Sequence, residues 1–370
     1  MKQKNNKNEK HLYRSYKFAS AFLIFLFFIG LAIVLFLQEP MNDPASEAII
    51  REAAAQQLGI EPNDLTDEDF TKITELYIND KELSDIKVIE KFSNLQVLSL
   101  ERINYPKKAI PKWMTILAKA GLFDLSERFF IDLSPLEKLT NLQKLTFVYV
   151  PVKHIEPLSK LINLNELILS NANISNLEQI KGLINLHELN VGGNPVSDLT
   201  LIKNLINLKS LHFGGTYVSN LEPLRELKNL QKLYIVNSQV SDLGFLKGLT
   251  KLKDINFAGT HVSTIEPLRS LTNLETLEFY ETQIDNLEPV KQLINLKTLN
   301  IYDTQVVDLE PIESMTNLRS LYLGGTWISN LESIKKLTNI KNIDITNCRN
   351  IIEKQIEDLE KTHPNLFISR

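Results

Sequence analysis

The sequence predicts an α/β solenoid of about thirteen stacked units, preceded by one transmembrane helix. Three observations favour this fold. An Asn-Leu or Asn-Ile pair recurs every 22 residues or at twice that spacing, apolar residues follow each pair in one register, and twenty consecutive residues near the N-terminus carry no charge. Self-similarity at a fixed period of this length is the signature of a repeat architecture.

Composition and charge exclude some classes of function and of binding site. The 370 residues include 41 Lys and Arg against 45 Asp and Glu, which gives a formal net charge of -4. This balance disfavours nucleic acid as a partner, because proteins that grip it are usually strongly basic. The single cysteine, Cys348, excludes an internal disulfide and a multi-cysteine metal site. We expect no cofactor and no bound metal.

The N-terminal residues predict a membrane anchor. Residues 1–17 hold six basic side chains and one acid, and residues 18–37 are uncharged. Twenty helical residues rise about 30 Å, the thickness of a bilayer's hydrocarbon core. The basic flank and the acidic residues that follow, Glu39 and Asp43, favour a cytoplasmic N-terminus. We therefore expect a cytoplasmic tail at 1–17, a signal-anchor helix at 18–37 and an extracytoplasmic repeat domain.

A cleaved secretory signal is the alternative interpretation of the apolar segment. Such signals usually have an apolar region of about 7–15 residues that ends at a small-x-small site. Residues 18–37 are longer, and residues 36–40 (Phe-Leu-Gln-Glu-Pro) offer no such site. Cleavage would make the chain a secreted repeat protein, whereas the length of the segment favours the uncleaved anchor.

Residues 38–71 are expected to form a linker and a helical N-terminal cap. A solenoid needs covers because its terminal units would otherwise expose a core face. Residues 45–58 are strong helix formers, with Ser46 as the expected N-cap, and residues 66–70 predict a second short helix.

The repeats are predicted to run from residue 72 to residue 348. Counting from the recurring Asn as position 0, apolar residues return at positions 1, 4, 6, 11, 14, 17 and 20. The alternation around positions 4 and 6 predicts a short strand whose odd positions face away from the core. The units begin at Lys72, Asn94, Lys119, Asn141, Asn163, Asn185, Asn207, Asn229, Lys251, Asn273, Asn295, Asn317 and Asn339.

Polar positions define the rest of each unit. At position 9 a small polar side chain is expected to bond the turn that follows the strand and to stack with its neighbours as a structural ladder. Asn, Asp or Thr at position 13, often followed by Leu-Glu-Pro, predicts the start of a short helix or 3₁₀ segment that forms the opposite wall. Asn at position 0 is expected to adopt the left-handed backbone that turns back into the strand. The ladder comprises Asn194, Thr216, Ser238, Thr260, Thr282, Thr304, Thr326 and Cys348.

These residues resemble the leucine-rich repeats of the internalin family of bacterial surface proteins, whose unit reads L-T-N-L-x-x-L-x-L-x-x-N-x-I-x-D-I-x-P-L. Residues 271–274 (Leu-Thr-Asn-Leu) show the start of that pattern. The resemblance implies a leucine-rich repeat horseshoe with a parallel β-sheet on its concave face.

Residues 349–370 predict a C-terminal cap. Residues 351–361 form an amphipathic helical pattern with Ile352, Ile356 and Leu359 directed inward, and residues 364–368 predict a closing strand.

The candidate ligand site lies on the outward strand positions 3, 5 and 7, which parallel strands about 4.8 Å apart align as columns. Exposed tyrosines on a rigid sheet are residues expected at protein-binding hot spots. Tyr280, Tyr302 and Tyr322 fall in adjacent units and predict such a patch. The full set of candidate ligand-binding residues is His212, Tyr234, Asn256, Glu278, Tyr280, Asn300, Tyr302 and Tyr322.

Catalysis is disfavoured by the same pattern. His154, His187, His212 and His261 fall at different positions of their units, so they are not expected to share a metal or a proton relay. The sequence therefore predicts a non-enzymatic, membrane-anchored protein that binds a protein or glycan ligand at a bacterial cell envelope. The alternative is an envelope scaffold or sensor that assembles other membrane proteins.

Overall fold

The computed structural model of the chain describes residues 44–80, 83–101 and 130–370. The predicted cytoplasmic tail, the signal-anchor helix and the start of the linker lie outside these residues. Apart from Pro44, every described residue belongs to one compact unit, which comprises residues 45–110 and 129–370. In the described part of the chain, no helix is both long enough and apolar enough to cross a bilayer.

A parallel sheet of thirteen strands organises the unit, in the order β1, β2, β4 and then β6 to β15. The remaining two strands, β3 and β5, pair as a small second sheet. The predicted solenoid with a long parallel sheet is therefore confirmed. The strands are β1 Glu75–Ile78, β2 Val97–Glu101, β3 Ile131–Asp132, β4 Lys144–Val148, β5 Val152–Lys153, β6 Glu166–Ser170, β7 Glu188–Asn190, β8 Ser210–His212, β9 Lys232–Tyr234, β10 Asp254–Asn256, β11 Thr276–Glu278, β12 Thr298–Asn300, β13 Ser320–Tyr322, β14 Asn342–Asp344 and β15 Phe367–Ser369.

The apolar register of the sequence explains how the sheet is held together. Each residue of the strands from β6 to β13 that pairs with the next strand does so with the residue 22 positions later, so that Leu211 lies beside Leu233 and Leu233 beside Ile255. These position-4 side chains are buried in one continuous core that extends from Ile50 to Leu359. No unit can bury its apolar face alone, because each contributes only one layer to this shared core.

The spacing of 22 residues between paired strands is interrupted between β2 and β4. Strand β2 pairs directly with β4, with Leu98 beside Leu145, so that no strand lies between them. In the same place Asn141 Nδ2 reaches the Ser93 carbonyl oxygen, a separation of 48 residues, whereas Asn163 reaches a carbonyl 23 residues earlier. The sheet of the described residues therefore holds no strand for the unit predicted to open at Lys119, and residues 102–129 lie outside the described residues. The sheet holds twelve repeat strands followed by β15.

The wall opposite the sheet is built from 3₁₀ segments. At position 13 the side-chain oxygen accepts a hydrogen bond from the second following amide, as Asn286 does from Glu288 at 2.8 Å and Asp308 does from Glu310 at 2.9 Å. Each such bond satisfies an amide that the start of the segment would leave unpaired. The segments are Pro62–Asp64, Lys87–Lys91, Ser134–Leu136, Glu156–Lys160, Glu178–Ile180, Thr200–Ile202, Glu222–Glu226, Gly244–Leu246, Glu266–Ser270, Glu288–Val290, Glu310–Ile312 and Glu332–Lys336.

The Asn at position 0 acts differently from the prediction. Its side-chain amide donates to a carbonyl of the preceding unit, as Asn273 Nδ2 does to Thr250 O at 2.8 Å and Asn295 Nδ2 does to Thr272 O at 2.9 Å. The left-handed backbone lies instead at position 8, where Asp303 has a φ of 50°. Asn at position 0 thus links neighbouring units by a side-chain hydrogen bond.

Helices close both ends of the core. The N-terminal cap comprises α1 (Pro44–Leu58) and α2 (Asp67–Phe70). Helix α1 begins before Ser46, so the expectation that Ser46 is the N-cap is wrong. The Ser46 hydroxyl is buried and accepts a hydrogen bond from the Ser84 amide at 2.8 Å, which joins α1 to the first unit.

The C-terminal cap comprises α3 (Glu353–Thr362) and β15. Ile356 and Leu359 are buried as expected, but Ile352 is 60% exposed because α3 begins after it, so its predicted inward position is wrong. Strand β15 pairs in parallel with β14, with Ile368 beside Ile343. It therefore continues the sheet beyond the last repeat.

Candidate ligand-binding face

All eight candidate ligand-binding residues lie on the side of the sheet that faces away from the core, called here the outer face. The register places Glu278 beside Asn300 and Asn300 beside Tyr322 on neighbouring strands. Side chains at positions 3, 5 and 7 of the repeats project from this face, between the buried side chains of positions 4 and 6. Each of the eight is half-buried by its neighbours in the columns. The columns are therefore rigid and remain accessible.

The two candidate asparagines also hold the ends of their strands. Asn256 Oδ1 accepts a hydrogen bond from the Ala258 amide at 3.0 Å, and Asn300 Oδ1 accepts one from the Tyr302 amide at 3.2 Å. Asn256 Nδ2 donates to Glu278 Oε2 at 2.5 Å. Burial, with a smaller effect of nearby Asp254, raises the pKa of Glu278 above its usual value. Only part of the hydrogen-bonding capacity of these side chains is left for a ligand.

The three candidate tyrosines form the largest aromatic group of the outer face in its C-terminal half. Tyr280 and Tyr302 occupy position 7 of adjacent units, and Tyr322 occupies position 5 of the next. The ring of Tyr302 lies over Gly324, where an added Cβ would come within 2.6 Å of Tyr302 Cε2. Glycine at 324 thus allows the ring to lie flat against the sheet. Burial raises the pKa of Tyr280, with smaller effects of Glu278 and Glu281.

His212 and Tyr234 form a second aromatic group. Their ring centroids are 4.1 Å apart and the ring planes are inclined by 34°. Burial, helped by the charge of Lys232, lowers the pKa of His212 to about 4, so its imidazole is neutral at neutral pH. The pair is therefore an uncharged platform, and His212 is not a ready proton donor at pH 7.

Acidification should destabilise the protein through His212. Its pKa is about 4 when folded and about 6.5 when unfolded, so the unfolded state binds more protons between these values and stability falls as the pH drops through that window. We expect His212→Gln to reduce the loss of unfolding free energy between pH 7 and pH 4.5 by about 1 kcal/mol, after allowance for solvent screening. Urea denaturation at both pH values measures this. An unchanged pH dependence in the variant would contradict it.

A depression on the outer face contains residues that the sequence analysis missed. It has a volume of about 510 Å³ and spans the N-terminal ends of β4 and β6–β9. A signal for this depression is present in the sequence at position 3 of successive units, where the small Ser210 lies between the longer Glu188 and Lys232. The lining side chains are Lys144, Asn165, Glu166, His187, Glu188, Lys209, Ser210, His212, Gln231, Lys232 and Tyr234.

The eight residues of the position-9 ladder are buried. Most of the hydroxyls donate to the carbonyl three residues earlier in the same unit, as Thr282 Oγ1 does to Phe279 O at 2.7 Å. Asn194 reaches further, because its Oδ1 accepts hydrogen bonds from the amides of Ala172 and Ile174 in the preceding unit, both at 3.0 Å. Cys348 Sγ lies 3.1 Å from the Leu323 carbonyl oxygen, and burial raises the pKa of its thiol. A buried thiol with a raised pKa is a poor nucleophile.

No metal-binding group is apparent in residues 44–80, 83–101 and 130–370: at no point do three His, Cys, Asp or Glu side chains come together in a way that could hold an ion. His212 faces Tyr234 on the outer face, whereas His187 Nδ1 contacts the Asn185 carbonyl at 2.8 Å. The outer face thus offers aromatic, amide and charged groups for binding.

Known proteins share both the repeat and the fold. The family model described as leucine-rich repeats in two copies matches residues 228–270 and 294–335. A solved internalin (inlF) of Listeria monocytogenes is 25% identical, covering 88% of this chain and 94% of that chain with a TM-score of 0.67. No protein among curated sequences matches the chain.

Two further solved structures have the same fold. A leucine-rich repeat protein of Leptospira interrogans is 22% identical, covering 83% of this chain and 81% of that chain with a TM-score of 0.63. The functional domain of InlJ from Listeria monocytogenes, which includes a cysteine ladder, is 16% identical, covering 82% of this chain and 60% of that chain with a TM-score of 0.62. Together with the repeats themselves, these similarities identify the chain as an internalin-like leucine-rich repeat protein.

Proposed function

We propose that this protein is a membrane-anchored recognition protein that binds a protein ligand on the outer face of its sheet, for adhesion or recognition at a bacterial cell envelope. Internalin-like repeats typically form non-enzymatic binding scaffolds. The observation that carries the proposal is the group of Tyr280, Tyr302 and Tyr322 on a rigid sheet. Large aromatic side chains held by their neighbours lose little rotamer entropy on binding, so they contribute much of the affinity of protein interfaces.

The geometry supports a protein ligand over a small molecule at this patch. The tyrosines are spread over three neighbouring strands, β11 to β13 and the turns after them, with the flat surface of Gly324 beside Tyr302. A partner's backbone can approach such a surface closely and cover several columns at once. A surface that covers three strands in this way suits an extended protein interface with aromatic side chains near its centre.

Replacement of Tyr280, Tyr302 and Tyr322 by alanine together should weaken ligand binding by at least about 100-fold, since hot-spot aromatics contribute about 2 kcal/mol or more each. Affinity capture from envelope extracts, followed by titration of the captured protein, measures the loss. Tyr217→Ala is the matched control, because Tyr217 is 64% exposed but follows its strand, β8, by five positions. Equal binding by the triple variant and the wild type would refute the site.

The anchor and the orientation form the second part of the proposal. Residues 18–37 supply the span, and the basic residues before them favour a cytoplasmic N-terminus with the repeats outside. The full chain should fractionate with membranes at its full mass, and protease added to intact cells should digest the repeat domain. Recovery of a shortened, soluble chain would favour a cleaved signal. Protection until the outer layers are removed would favour the envelope scaffold.

A further inference from the structure

The depression over β4 and β6–β9 has a gap at its centre. Ser210 pairs with Glu188 on one side and with Lys232 on the other, so three consecutive strands present an acid, a short hydroxyl and a base. Ser210 cannot fill the space between its longer neighbours. Ser210 is itself buried, so the depression of about 510 Å³ lies above it, beside the longer side chains of Glu188 and Lys232, and this volume suits a side chain or a short segment.

The charges beside this gap are unevenly paired. Lys144 Nζ lies 2.8 Å from Glu166 Oε2, and Lys232 Nζ lies 3.9 Å from Asp254 Oδ2. Over the described ranges of the chain, Glu188 has no Lys, Arg or His nitrogen within 4.0 Å of its carboxylate. Its other neighbour across the sheet is Glu166, a like charge. Burial and this like charge raise the pKa of Glu188, whereas the charges of Lys232 and Lys144 lower it, so its anion is only partly stabilised.

An aromatic surface adjoins the same gap. His212 follows Ser210 on β8, and its ring lies 4.1 Å from that of Tyr234 on β9. Because His212 is neutral at pH 7, it does not repel a cation. A guanidinium is the cation that best combines stacking on such rings with a bidentate hydrogen bond to a carboxylate.

An anionic ligand is the competing possibility, because Lys209 and Lys232 also line the depression. Lys232 already faces Asp254, and Lys209 is an exposed side chain whose ammonium remains hydrated. A ligand anion would therefore gain little from them, whereas a cation beside the half-buried Glu188 would neutralise a charge that its neighbours stabilise only in part. The observations favour a cation.

We propose that this depression is a second subsite of the outer face, which binds an arginine side chain of a partner protein between Glu188 and the His212–Tyr234 ring pair. The partner's guanidinium occupies the gap over Ser210 and donates to the Glu188 carboxylate. The inference rests on the proposed function in so far as the ligand is a protein, but it concerns residues separate from the tyrosine patch.

The test uses the purified full chain with ¹³C-labelled histidine and the probe acetyl-Gly-Arg-Gly-amide. We expect a saturable shift of the His212 ring signals, identified by their loss in His212→Gln. The same peptide with citrulline in place of arginine has nearly the same shape without the charge, and it should bind at least about tenfold more weakly. The peptide with glutamate should produce no saturable shift.

Matched variants assign the effect to the gap. Glu188→Gln keeps the shape and removes the charge, and it should weaken the arginine peptide about tenfold or more, whereas Glu166→Gln should have a smaller effect because Glu166 is paired with Lys144. Ser210→Lys fills the gap with a cation and should also abolish binding. Ser320→Lys, in the same column five strands away on β13, should leave it unchanged.

Three results would overturn the subsite: no saturable shift of His212, equal binding of the citrulline peptide, or tighter binding of the glutamate peptide. Much tighter binding of free arginine than of the blocked peptide would overturn the assignment to a protein side chain. The variant Tyr280→Ala/Tyr302→Ala/Tyr322→Ala should bind the arginine peptide normally. Its behaviour therefore separates failure of this subsite from failure of the proposed function.

Discussion

Asn194→Ala should lower the free energy of unfolding by about 3 kcal/mol or more, a larger loss than at any other ladder position we describe. The Asn194 side chain accepts hydrogen bonds from the Ala172 and Ile174 amides and donates to the Leu169 carbonyl at 2.6 Å. All of these groups belong to the preceding unit and are enclosed by the turn. Removal of the amide leaves several buried polar groups unpaired at once, each of which costs about 1–3 kcal/mol.

Two matched variants isolate the link between units. Thr216→Ala removes a hydroxyl that donates to Phe213 O and accepts from the Val218 amide at 3.4 Å, both in its own unit, and it should cost about 1 kcal/mol. Asn194→Thr introduces the side chain found at the next rung and should recover only part of the loss. Urea denaturation measures the stabilities, and amide hydrogen exchange at Ala172 and Ile174 reports the link directly. Equal costs for Asn194→Ala and Thr216→Ala would contradict a bridging role.

Deletion of residues 251–272 should leave a folded, shorter protein, whereas deletion of residues 251–261 should abolish folding. The first deletion removes one full period and joins Thr250 to Asn273, so β9 can pair with β11 in the same register and the core continues. The second removes β10 but keeps the wall segment Glu266–Ser270, so the two sides of the unit no longer match. A stack of equivalent layers tolerates loss of a whole layer but not of half of one.

Circular dichroism and denaturation of the two deletion proteins measure the difference. We expect cooperative unfolding with native-like secondary structure for the full-period deletion, and an unfolded or aggregated chain for the shorter deletion. If the shorter deletion were as stable as the longer one, the units would not be layers of one core.

Much of the fold could be predicted from the sequence because apolar and polar positions recur with the same period of 22 residues. The apolar positions give the strands and the shared core, and Asn286 and Asp308 mark the start of the wall segments by a local hydrogen bond that only short polar side chains make. The role of Asn273 could not be predicted in the same way. Asparagine both tolerates a left-handed backbone and donates from its side chain, and only the position of the preceding unit decides between the two.

The stretch between β2 and β4 shows the limit of an apolar pattern. Phe123, Leu125 and Phe130 match the expected positions, but no Asn occupies position 119. The described part of this stretch keeps the predicted register at Leu133, Leu136 and Leu139, which are buried, whereas Phe130 is half-buried beside the buried Ile131. Apolar residues alone therefore do not prove a unit.

The candidate site was predictable in part. The outward columns place His212, Tyr234 and Tyr302 on one face, and the pairing of the strands follows from the period. The depression could not be predicted, because it depends on the short side chain of Ser210 between Glu188 and Lys232 on neighbouring strands. A gap of this kind is a property of three strands together, which no single unit of the sequence displays.

Site-specific photo-cross-linking tests the central claim, that the outer face of the sheet holds a protein ligand. Benzoylphenylalanine in place of Tyr302, irradiated in intact cells that express the full chain, should form an adduct with a single partner protein. The same residue in place of Tyr217, which is exposed after strand β8, should form none. Adducts from Tyr217 but none from Tyr302 would contradict the account.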